Sequence, residues 1–115
     1  MALQDSASVS ITGGSIFGAS VAASRSAYAA KTTTYTIVSA TDDCINCTSG
    51  TFTVTLPTAV SIAGQEFIIK NSGTGVITIA TTSSQTVDGG ASGSVTLNQY
   101  DSLSVMSDGA NWIIV

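Results

Sequence analysis

Two cysteines three residues apart and a scatter of carboxylates are the groups in this sequence that could do chemistry. Cys44 and Cys47 form a C-x-x-C, and Asp42, Asp43, Glu66, Asp88, Asp101 and Asp108 are the acids within reach of a folded core. Redox use of a C-x-x-C places its first cysteine at a helix N-terminus, where the dipole stabilises the thiolate. Here Asp42-Asp43 and Thr48-Ser49-Gly50 frame a strand running into a turn. Residues three apart on a strand point to opposite faces, which carries the two sulfurs beyond disulfide reach. Zinc would need two more ligands, and the sequence has no His and no third Cys. The cysteines therefore read as small buried hydrophobes, with a metal or inter-subunit role as the alternative.

The same lack of His removes the usual general base. No G-x-S-x-G elbow is present among the many serines. A pair of carboxylates could still hydrolyse a glycoside, but most of these acids adjoin turns or strand starts, where Asp serves local hydrogen bonding. Asp42-Asp43 could help to hold Ca²⁺, although a solvated strand entrance explains them as well. The glycine-rich run Gly89-Gly90-Ala91-Ser92-Gly93 has no Lys and precedes no helical pattern, so it is a loop and not a phosphate cradle. No residue is assigned a catalytic, cofactor-binding or metal-binding role, and no enzyme is expected.

The elements that would position such groups are strands. Thr51-Phe52-Thr53-Val54-Thr55-Leu56 alternates polar and apolar residues, and puts Phe52, Val54 and Leu56 on one face. Short β patterns follow at 35–38, 66–70, 75–79, 94–97, 103–106 and 112–115. Asn71-Ser72-Gly73, Asp88-Gly89-Gly90 and Asp108-Gly109 punctuate them as turns. The clearest hairpin is Val105–Trp112 around Asp108-Gly109, and Pro57 closes its strand for want of a backbone donor. The fold class is all-β: a small β-sandwich or jelly-roll-like barrel of about eight or more short strands. Residues 1–34 differ, being rich in Ala, Ser, Gly and Thr. They read as an extended N-terminal arm with one or two short strands that docks on something, and residues 35–115 as the β-sandwich domain.

Composition narrows the partners. Charged residues are only 9% of 115, against about 25% in an ordinary domain. Together with a mean hydropathy of +0.41 this suggests a membrane, but no apolar run nears the roughly 20 residues of a spanning helix. The uncharged polarity comes from 17 Thr and 18 Ser. A net charge of -4, with Arg25, Lys31 and Lys70 alone positive, leaves no basic cluster for nucleic acid. The N-terminus shows no basic segment followed by an apolar one, so no secretory leader is expected. A core this thin gains from burial between subunits.

From Tyr35 onward the order of motifs resembles a β module of tailed-bacteriophage virion proteins, found at tail-fibre ends and in small capsid decoration or cement proteins. The matching elements are T-V-T-L-P at 53–57, I-I-K-N at 68–71, V-D-G at 87–89 and S-D-G-A-N-W at 107–112. The segment Ile11-Thr12-Gly13-Gly14-Ser15-Ile16 is similar to an element that precedes such modules in phage fibres. Cys44 and Cys47 depart from the pattern, standing where aliphatic or polar strand residues are usual. The resemblance implies a scaffold without an active site, assembled as a homotrimer, with an arm that contacts the underlying shell or a neighbouring subunit.

The function expected first is a capsid decoration protein bracing the shell, partnered by the major capsid protein of the same virion. A chain of 115 residues starting at Met1, with no separate tail-attachment domain, favours that reading. The alternative is a short tail-fibre, spike or baseplate component touching the host surface. Either way the chain would be made in the bacterial cytoplasm and located on the virion. A third reading, a carbohydrate-binding module, would stack sugars on Tyr28, Tyr35, Tyr100 and Trp112.

Overall fold

The computed structural model describes residues 26–115. Among them lie nine strands: β1 Tyr28–Lys31, β2 Tyr35–Thr36, β3 Cys44–Cys47, β4 Phe52–Thr55, β5 Glu66–Asn71, β6 Ile77–Ala80, β7 Val95–Leu97, β8 Ser102–Ser107 and β9 Trp112–Ile114. They form a five-stranded sheet in the order β9-β8-β5-β3-β1 and a four-stranded sheet in the order β2-β4-β6-β7. The all-β sandwich expected from the sequence is present. Of the two forms considered, it is the sandwich and not the jelly roll.

The connectivity explains why. From β1 to β6 the chain alternates between the sheets, one strand to each. Each strand lies parallel on the one laid down a coil earlier: β3 on β1, β4 on β2, β5 on β3 and β6 on β4. A jelly roll is antiparallel throughout; this half is three coils of a two-sided solenoid. Parallel strands need a crossover, and here the opposite sheet supplies it. The last three strands reverse direction. β7 runs antiparallel on β6, β8 on β5, and β9 on β8.

Coiling stacks like on like. Ala29, Ile45, Ile69 and Leu103 are in register across the five-stranded sheet. Tyr35, Val54, Ile79 and Val95 answer them across the four-stranded sheet, with Phe52, Ile77 and Leu97 as the next rung. Except for Ala29, Tyr35 and Val95, which are partly buried, these side chains are in the core. Full burial of a Val, Ile, Leu or Phe contributes about 1.5–3 kcal/mol, so these two ladders are the main store of stability. The outward positions of the smaller sheet are Thr36, Thr55 and Ala80 in one row and Thr53, Thr78 and Thr96 in the next. Threonine suits a pleated, half-wet surface without charge, which accounts for the threonine-rich, charge-poor composition.

The coil corners need glycine where backbones stack. A Cβ on Gly75 would lie 2.3 Å from the Gly50 carbonyl oxygen one coil below. Asn71 closes the same corner from inside. Its Nδ2 donates to the carbonyls of Gly75 (2.7 Å) and Leu97 (2.9 Å), and its Oδ1 accepts from the Gly73 amide (3.0 Å).

The strand β1 falls within the segment read as an arm, and it docks on β3 as the edge of the larger sheet. That pairing holds Tyr28–Lys31 extended. The motif at residues 11–16 and the rest of 1–25 lie outside the described residues.

Candidate functional surface

The carboxylates are placed by the turns they close. Asp42 is buried, and its Oδ2 accepts from the Tyr35 hydroxyl (2.5 Å) and the Val38 amide (2.8 Å). That hydrogen bond, with burial and the nearby negative charge, holds the Tyr35 hydroxyl above its ordinary pKa. Asp43 Oδ2 accepts from the Ala27 amide (2.8 Å) and so ties down the entrance to β1. Asp88 adopts a positive φ of 48° in the Val87–Gly90 turn and accepts from the Ile114 amide (3.0 Å). Asp101 accepts from the Asn98 amide (2.9 Å). Asp108 accepts from Asn111 (2.7 Å) and Ala110 (2.9 Å), backbone bonds that hold its carboxyl below the ordinary range. Glu66 alone stands on an open sheet face. Asp42 and Asp43 each accept from a backbone amide, at Val38 and at Ala27, and among the described residues no three of His, Cys, Asp and Glu come together.

The cysteines occupy β3 as the strand reading requires. Cys47 faces the core, and burial pushes its thiol up to about 11. Cys44 faces outward, half-buried, its thiol raised by burial and then by Asp43. Both are free, and both hold protonated thiols at neutral pH.

The aromatic set divides in two. Trp112 is fully buried, its ring centroid 5.6 Å from that of Phe67, and its Nε1 donates to the Pro57 carbonyl (3.2 Å). Tyr35 is held by Asp42, with the Lys31 ammonium 3.9 Å from its ring centre. Trp112 therefore has no exposed ring face to offer a sugar, and Tyr35 is half-buried. Tyr28 and Tyr100 are exposed, at 64% and 68%.

The structure adds polar groups that the sequence did not single out. Besides Asn71, Gln85 accepts from the Ala59 amide (2.9 Å) and donates to Thr58 Oγ1 (2.9 Å), and Ser107 Oγ donates to the Ala59 carbonyl (2.6 Å). All three are buried and spend their hydrogen bonds on loop backbone or on a neighbouring hydroxyl. The alternation Phe67, Ile69, Asn71 was the available signal for Asn71. Nothing local marks Gln85 or Ser107.

The fold is thus a parallel coil closed by antiparallel strands, with five of the six acids bonded to backbone amides of turns and strand ends. The description of the phage depolymerase C-terminal beta sandwich domain matches residues 20–113. The chain belongs to this family. No curated protein and no solved structure matches it. The match begins inside the segment read as an arm and takes in β1. It establishes the chain as a β module of the tailed-phage virion, as the motif order at 53–112 implied. Within that, a family described from depolymerases favours the tail-fibre or spike alternative over capsid decoration, the function expected first. The short length that supported decoration carries no weight against it.

Proposed function

We propose that this chain is the structural C-terminal sandwich of a phage tail spike or fibre, a homotrimeric module that performs no catalysis itself. The observation that carries the reading is the family match across 94 residues, the span 20–113. The geometry is consistent with it. The polar groups inside the sandwich are consumed in holding loops, and five of the six candidate acids bond to backbone amides of turns and strand ends. Any depolymerising activity of the spike would then reside in a part of it other than residues 26–115.

Immunogold labelling of intact particles tests the location. Label confined to the tail supports the spike reading. Regular label over the capsid overturns it and returns the chain, with the major capsid protein as partner, to shell decoration.

A further inference from the structure

The two outer faces of the sandwich present different chemistry. The four-stranded sheet turns threonine rows outward. The five-stranded sheet turns out Ile68 on β5, the middle strand of the five, at 43% exposed. Its register partners there are Cys44 and Ser104, both short, and the exposed Tyr28 ends the row beyond Cys44. One rung along, Glu66, Met106 and Ile113 form the next row. Glu66 and Lys70 share the outward face of β5 with Ile68, each about 7 Å from it along the strand. The Lys70 ammonium donates to the Tyr100 carbonyl (2.6 Å), which fixes the charge and leaves further N–H donors free.

We propose that copies of this chain associate through the outer face of the five-stranded sheet, with Ile68 at the centre and Glu66 of one copy against Lys70 of the next. The inference rests on the homotrimeric reading and adds the surface to it. An apolar centre flanked by polar groups is the anatomy of a specific interface. Opposite charges at the two ends of one strand segment fit a rotational ring, in which every copy offers an acid on one side and a base on the other. Charge also selects a second copy over an unrelated acidic partner. The chain carries -4 overall with three basic residues, and on this face an acid and a base balance. Two copies can meet here without net repulsion.

Light scattering on the full 115-residue chain and four variants tests this. Ile68→Asp should raise the concentration of half-dissociation roughly thirtyfold, the weight of a buried hot spot. Glu66→Lys and Lys70→Glu should each weaken association, and the double reversal should restore it. Since all three side chains point outward, thermal melts should show every variant folded. Cys44, on the same face, should be protected from alkylation only at concentrations where the wild type associates. Association unchanged in Ile68→Asp overturns the face while leaving the trimer intact. A wild type that stays monomeric at tens of micromolar removes the trimer itself. Cys44 protected at every concentration means residues 1–25 of the same chain cover the face, which also overturns the proposal.

Discussion

The coiled half, β1 to β6, and the closing half, β7 to β9, solve the same problem by opposite means. In the coils each strand finds its partner a full turn earlier in the chain, Ile45 on Ala29 and Ile69 on Ile45, across a connection that visits the other sheet. In the closing half β9 pairs with β8 through a turn of four residues, and the ends of the hairpin are in register at Ser107 and Trp112. A coil exposes a strand edge at every stage of its growth, and unpaired edges invite aggregation. The closing strands end that growth, and Trp112 seals them to the core. The fold extends by repetition and stops by reversal.

Damage to the closing half should be felt furthest. Trp112→Ala removes the largest buried side chain and should cost about 3–5 kcal/mol, measured by chemical denaturation. The closing half then loses its anchor against Phe67 and Pro57. Amide exchange confined to β8 and β9 in this variant would sharpen the division, whereas exchange spread equally over β3 to β6 would dissolve it.

Damage to the coils should act at their corners. Gly75→Ala forces a methyl onto the Gly50 carbonyl, and should cost about 3 kcal/mol, the upper range for an overpacked site. The same change at Gly89, where an added Cβ meets nothing within 4 Å, is opposed only by its positive φ of 81°. A denaturation midpoint for Gly75→Ala no lower than that for Gly89→Ala would sink the stacked-corner account.

Asn71 joins the halves, since it bonds both to Gly75 within the coil corner and to Leu97 of β7. Asn71→Ala removes three hydrogen bonds, takes the buried side-chain donor from the Leu97 carbonyl and should cost about 2 kcal/mol. The smallest effect belongs to Asp108 in the β8–β9 turn. Its folded pKa lies below the ordinary 3.8, so its contribution is present above that value and is lost as pH falls through the folded one. The melting difference between wild type and Asp108→Asn should be constant near neutrality and close in acid. A difference that persists at pH 2 would assign the stabilisation to packing.

Much of this fold was legible locally. The alternation at 51–56 fixed β4 and its buried face, and Asp108-Gly109 fixed the hairpin. Tyr28-Ala29-Ala30-Lys31 offered neither alternation nor branched residues, so only pairing with β3 makes it a strand. Parallel pairing was hidden for a related reason: which strand stacks on which is decided at corners such as Gly50 and Gly75, far apart in sequence. The candidate surface was hidden by ambiguity of phase. In Phe67-Ile68-Ile69 the middle residue is as apolar as its neighbours, and only the register of β5 shows that it points out.

The last strand has a further consequence, and it is mechanical. β9 is flanked on both sides. The amide of Trp112 donates to Thr86, Asp88 donates to the Trp112 carbonyl, Ile114 donates to the Asp88 carboxylate, and Val115 donates to Ser104. A pull on residue 115 along the strand would therefore load these bonds together, in shear, before any could be peeled singly. Under the spike or fibre role proposed above, tension applied through residue 115 would fall on this lock in line with the strand.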